Sequence, residues 1–324
     1  MPAMLIADLF GAKIEQKPTR DGYGLGVVEA AEKNPNVLVL CADLTESTRN
    51  QDFKTKFPKQ FVQMGVHEQL LAALGAGMAL AGKVPFITSY AMFCPGRAWE
   101  QVRTNICLNN TNVKIIGSHA GVSVGPDGAT HQAIEDIAIM RCIPRMTIVS
   151  PCDAVEARKA TLAIAAFNGP CYLRLAREKS PVFTTDETPF EIGKAITLRE
   201  GKDVAIIACG PLVYRALQAA EALKKEGIDA MVINCHTIKP LDEDAILNAA
   251  KNCGAVVTVE EHQIAGGLGG AVSEYLSKTH PTPMEFIGVH DQFGESGKPD
   301  ELIEHFGMGA THIADAAKKA VSRK

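Results

Sequence analysis

Short apolar runs alternate along the chain with longer stretches in which apolar residues recur at helical spacing. Residues 37–41, 61–64, 84–88, 113–117, 146–150 and 171–175 are near-continuous aliphatic and β-branched runs, the pattern of strands covered on both faces. Between them, 20–33, 68–81, 97–108, 132–142 and 153–167 read as helices. Thr19 is placed to cap the first helix, Asn34-Pro35 to stop it, and Asp153 to start the last. This alternation predicts an α/β fold with a parallel, helix-covered sheet. At 178–191 the pattern lapses into EKSPVFTTDETPFE, polar and without period, which reads as a connection. Strand-like runs resume at 204–209, 231–235, 256–260 and 284–289, separated by helical stretches at 212–226, 243–252, 269–278 and 313–321. The expectation is two parallel-sheet α/β domains, 1–180 and a smaller 191–324, joined by a linker at 181–190.

Composition narrows the class of function. The 324 residues are 46% apolar and 22% charged, which is ordinary globular usage. A net charge of −4 carries no electrostatic footprint of nucleic-acid binding. Nine scattered cysteines lack CxxC or zinc-ligand spacing and mostly sit in apolar runs, as buried thiols do in a reducing compartment. The opening MPAMLIADLF has no basic region before a long apolar stretch, so no signal peptide is expected. No run reaches the ~18 apolar residues of a membrane span. A cytoplasmic protein without membrane contact is the expectation.

Five segments could carry chemistry. The loop GSHAGVSVGPDGATHQ at 117–132 follows a strand and gathers His119, Asp127 and His131 among glycines, at the strand end where open α/β sheets bind ligands. A plain surface loop satisfying its own backbone reads as well from spacing. In GVHEQ, Glu68 opens an apolar helix; it suits the helix dipole, yet burial there also favours proton donation. Tyr90, Phe93 and Trp99 follow another strand, and core packing is the simpler reading. Arg20, Ser47 and Arg177 stand at element boundaries and mean little singly. Glu260-Glu261-His262 before GGLGG favours a tight turn over an acid–base cluster.

Together these pieces resemble the C-terminal two thirds of transketolase, across nearly the whole chain. The resemblance lies in GVHEQ, SHAGVSVGPDGATHQ, PCDAVEA, TIKPLD and SGKPDELIEHFG. It implies a thiamine-diphosphate pyrimidine-binding domain followed by the family's C-terminal domain. It implies that Glu68 protonates N1′ of the aminopyrimidine, and that Phe93 or Tyr90 stacks on that ring with the other as a wall. His119 and His131 join Glu68 as catalytic expectations. Arg20, Ser47, His119, Asp127, His131 and Arg177 are implied to hold sugar hydroxyls and phosphate while a two-carbon ketol unit passes from ketose to aldose.

The sequence departs from the family in lacking any GDG followed by an asparagine some 25–30 residues later, the magnesium–diphosphate motif. The resemblance therefore implies one subunit of a split transketolase. No metal ligand is expected in this chain; a partner chain carries GDG…N and most of the Mg2+ contact. A dimer of this chain within a heterotetramer is expected, with pentose phosphate interconversion as the favoured route. The rival readings are a 1-deoxyxylulose-5-phosphate synthase (RCIP at 141–144), a beta-type 2-oxoacid dehydrogenase subunit, and a non-catalytic sugar-phosphate sensor.

Overall fold

The computed structural model describes residues 5–324. Residues 1–4, part of the opening segment in which no leader was expected, lie outside it. In chain order the strands are β1 (Gln16–Lys17), β2 (Val37–Cys41), β3 (Phe61–Gln63), β4 (Val84–Tyr90), β5 (Lys114–Ser118), β6 (Thr147–Val149) and β7 (Cys171–Arg174). There follow β8 (Ser180–Pro181), β9 (Ile196–Arg199), β10 (Val204–Ala208), β11 (Ala230–Asn234), β12 (Thr237–Lys239), β13 (Val256–Gln263) and β14 (Met284–Val289). The larger sheet runs β12-β6-β7-β5-β4-β2-β3, parallel except where β12 meets β6. The smaller runs β14-β13-β10-β11-β9, parallel except for β9 on β11. β1 and β8 form a short antiparallel ribbon.

Every residue of β2, β5, β10 and β11 is buried, which is why their apolar runs show no alternation. One hydrophobic core runs from Leu40 and Ile115 through Ile148 and Tyr172 to Ile207 and Ile233, so the two sheets share an interior. β12 continues this join, because a strand from the second half forms the edge of the first sheet.

Several local expectations change. Pro18, not Thr19, precedes the first helix; the Thr19 hydroxyl instead accepts from the Ala176 N–H at 2.8 Å. The helix expected at 132–142 spans only Asp136–Arg141, because the Gln132 amide bonds the carbonyls of Val122, Gly125 and Glu295. The 97–108 stretch is one α-turn, Trp99–Gln101, continued by a π-helical segment, Val102–Leu108. Asp153 does cap the helix Ala154–Ala166, accepting from the Glu156 N–H at 2.9 Å. It also accepts from the Phe183 and Thr184 N–H groups at 2.9 and 2.7 Å, tethering the connecting segment. The nine cysteines are free thiols, and all but Cys142 are buried. No helix among the described residues is long and apolar enough to cross a membrane.

Candidate active site

Parallel pairing brings the candidate residues to one end of the larger sheet. Ser47 follows β2, Glu68 follows β3, Tyr90 ends β4, His119 follows β5 and Arg177 lies just beyond β7. Arg20 stands in the first turn of the helix Thr19–Lys33. All sit at or beyond carboxyl ends of adjacent strands, or on the helix beside them, the place where such sheets bind ligands.

One flank is cationic. Arg20 Nη1 donates to the Ser47 carbonyl at 2.8 Å and to His119 Nε2 at 3.3 Å. A guanidinium only donates, so Nε2 accepts, and His119 Nδ1–H faces the Ser118 hydroxyl at 2.9 Å. Burial, reinforced by Arg20, Arg177, Arg49 and His131, pushes the His119 pKa down to about 2, so the ring is neutral. It also holds φ +57, a strained backbone for a non-glycine. Arg20 Nε is buried without a partner. Burial first, then Arg49 and Arg177, lowers its guanidinium below the ordinary value. Such crowded positive charge with an orphan donor suits an anionic ligand. Arg177 bonds the Val124 carbonyl at 2.7 Å and lies 3.5 Å from Asp127. Ser47 enters this set through its carbonyl.

An aromatic row leads from that flank to a buried carboxylate. The Tyr90 ring stacks on His119 with centroids 3.8 Å apart and faces Phe93 at 6.4 Å. His131 presents an edge to both, at 6.3 and 5.3 Å. The Arg97 guanidinium sits over Phe93 at 4.9 Å and donates to Glu68 at 3.0 Å. Glu68 is 2% exposed; among the described residues its other oxygen meets only the Ser89 hydroxyl, at 3.4 Å. Acceptor capacity is therefore left over on a buried carboxylate. Phe93 and Arg97 line a cavity of about 410 Å³ with Met92, Glu135 and Ile139. Arg20, Ser47, His119, Tyr90, Phe93, His131 and, through Arg97, Glu68 are thus linked by contact, while Arg177 and Asp127 pair with each other.

Arg97 was missed in the sequence. Arg97 stands 29 positions from Glu68, and nothing local marks the pair. Glu260-Glu261-His262 lies in β13 rather than in a tight turn, and Glu260 accepts from the Leu268 and Gly269 N–H groups at 2.7 and 2.8 Å. Among the described residues, no group of three or more His, Cys, Asp or Glu side chains could hold a metal ion.

Two sequence families match the chain, "Transketolase, pyrimidine binding domain" over residues 15–182 and "Transketolase, C-terminal domain" over 193–313. The chain belongs to the transketolase family. It is 40% identical over 315 residues to the 6-deoxy-6-sulfo-D-fructose transketolase subunit SqwH of Clostridium sp., covering 97% of this chain and 98% of that one. It is 38% identical to an apulose-4-phosphate transketolase subunit of Phocaeicola vulgatus, covering 92% and 95%. A solved structure described as a split gene transketolase, inactive beta4 tetramer, superposes with a TM-score of 0.89 at 43% identity, covering 94% of this chain and 98% of that one. Transketolase domains of this type use thiamine diphosphate, and the site fits its aminopyrimidine. Glu68 offers a buried carboxylate with free acceptor capacity, and the aromatic row offers an apolar wall beside it.

Proposed function

We propose that this chain is one subunit of a thiamine-diphosphate-dependent transketolase, moving a two-carbon ketol unit from a ketose phosphate to an aldose phosphate. A separate chain supplies the domain that grips the diphosphate and Mg2+. The observation that supports this best is the single row from the orphaned Arg20 donor to the buried Glu68 carboxylate. Units at 1–180 and 191–324, linked by 181–190, fit the two family matches.

Bound thiamine diphosphate supplies the electron sink for carbon–carbon cleavage. Glu68 exchanges a proton with N1′ of the aminopyrimidine, while Arg97 balances its buried charge. Phe93 and Tyr90 form the apolar wall beside that ring and exclude water. Arg20 and Arg177 bind the sugar phosphate. His119, kept neutral by burial and its cationic neighbours, orients the substrate through hydrogen bonds and carries no charge of its own. Asp127 and His131 contact sugar hydroxyls, and His131 is the group left free to shuttle protons among them. Free, mostly buried thiols fit a reducing cytoplasm.

The partner docks on the helix Glu68–Leu80 and the residues just before it, where Val66, Leu70 and Leu80 are 62, 53 and 73% exposed beside the site. An apolar stripe of that kind marks an interaction face. Two copies of each chain then form a heterotetramer.

Mixing this chain with a partner carrying GDG…N tests the reading. Alone, the chain is expected to show no ketol transfer and to bind thiamine diphosphate with Mg2+ weakly in calorimetry. The mixture is expected to transfer ketol units between pentose phosphates. Tight binding and turnover by the isolated chain would sink the split arrangement. Activity on 2-oxoacids, on pyruvate with glyceraldehyde phosphate, or on no sugar phosphate at all would favour one of the rival readings. Substrates bearing a terminal sulfonate, or apulose 4-phosphate, show which acceptor the cationic flank prefers.

A further inference from the structure

The C-terminal half places no side chain in the row from Arg20 to Glu68, yet it moulds the loop that carries His119, Asp127 and His131. Hydrogen bonds tie that loop and its exit to the second half. The Ser123 N–H donates to Glu261 Oε1 at 2.6 Å. The Gln132 amide donates to the Glu295 carbonyl at 2.9 Å. The Gln263 N–H donates to the Ile134 carbonyl at 2.7 Å. Arg174 donates to the carbonyls of Glu261 and Ala133 at 2.8 and 3.2 Å. Gly121, at φ +87, lies so close that a β-carbon there would start 2.2 Å from Glu261 Oε1. Glu261 itself is 4% exposed. Its carboxylate reaches out of the second half to accept a hydrogen bond inside the glycine-rich turn itself.

We propose that Glu261 is a positioning residue for substrate. Its carboxylate holds the turn at Gly121–Ser123, and through that turn sets where His119, Asp127 and His131 stand. The role of the C-terminal half in this site is thereby to shape the sugar loop across the join between the sheets. Burial raises the Glu261 carboxyl above its ordinary value, and Arg174 and the Ser123 N–H counter that. The proposal rests on the reading of this loop as the sugar-binding element.

The test uses the complex assembled with its partner chain and two independent readouts, amide hydrogen exchange over 119–132 and steady-state kinetics. Glu261→Ala should raise exchange at the Ser123 amide about 10-fold or more, as the loss of a charged hydrogen bond implies. It should also raise KM for sugar phosphate about 10-fold, with kcat and thiamine diphosphate affinity within about threefold of wild type. Glu261→Gln keeps a carbonyl acceptor and should restore both readouts most of the way. Gly121→Ala, which leaves Glu261 intact, should reproduce the KM effect, and the double variant with Glu261→Ala should be less than additive because the clash is gone. Unchanged loop exchange in Glu261→Ala would overturn the proposal. So would equal loosening of the whole chain with no rescue by glutamine. If the wild-type complex transfers no ketol unit, the functional reading falls, while the exchange comparison still decides whether Glu261 holds the loop.

Discussion

Glu68 and Glu260 occupy matching stations in the two halves of the molecule. Each is a buried carboxylate at a helix N-terminus, 2% and 1% exposed: Glu68 opens the helix Glu68–Leu80, whereas Glu260 stands within β13 and reaches the first N–H groups of the helix Leu268–Thr279. Their partners differ. Both oxygens of Glu260 take backbone N–H groups of its helix, and His262 stands 3.7 Å away. Glu68 has one arginine on one oxygen and a long contact to Ser89 on the other. The first carboxylate is finished; the second has capacity to spare. Two arginine-centred clusters, one buried and one half-buried, divide the same way. Arg174 is matched by both Asp136 oxygens and two carbonyls, whereas Arg20 keeps a buried, unpartnered Nε among other cations. Burial alone does not separate a site from a scaffold. In these two pairs, unspent hydrogen-bonding capacity does.

The largest effect that tests this contrast is expected from Glu68→Gln, which holds its place but cannot transfer a proton. With partner and cofactor bound, kcat should fall by about 10²–10⁴-fold, and C2 proton exchange of the cofactor, followed by NMR, should slow with it. Glu260→Gln should leave turnover per folded molecule near wild type. It should lower Tm by roughly 2–8 °C, because an amide NH2 then faces a backbone N–H. Exchange as fast as wild type in Glu68→Gln would erase the distinction.

Arg20→Ala should come next in size. KM for a phosphorylated acceptor should rise about 10–100-fold, with under about threefold change for its unphosphorylated counterpart. Equal losses on both would make Arg20 a structural residue like Arg174.

A third buried glutamate sharpens the comparison by a smaller amount. Glu156 accepts from the Cys152 N–H and the Asn234 amide, each at 2.7 Å, and forms no ion pair among the described residues. Burial pushes its pKa up to about 7. A raised carboxyl pKa means that the folded protein holds the proton more tightly than the unfolded chain. The associated stability is present below the ordinary value near 4.5 and is lost as pH rises through about 7. The Tm of Glu156→Gln minus that of wild type should therefore grow between about pH 5 and pH 8 and then level off. A difference independent of pH would remove Glu156 from the argument.

Strand-forming runs such as 37–41 and 204–209 were legible because burial on both faces leaves an unbroken apolar signature. β9 and β12 were not, since ITLR and TIK contain no unbroken apolar run. The helix expected at 132–142 failed in its first turn because Gln132 is used across the join to the second half, a tertiary contact no local window reveals. The candidate residues came together because each stands at or beside a strand end, which spacing does show. The pairings of Arg97 and Glu261 were not legible for the opposite reason: their partners, Glu68 and Ser123, lie 29 and 138 positions away.

The crossing of β12 into the larger sheet also sets an order of events during synthesis. The first sheet ends at β6 until residues 237–239 have left the ribosome, nearly three quarters of the way through translation. Until then β6 offers an unpaired strand edge, the kind of surface that invites pairing with another nascent chain. A fragment ending at the connecting segment would keep that edge permanently, so the two halves are one unit of manufacture even where they divide the labour of the site.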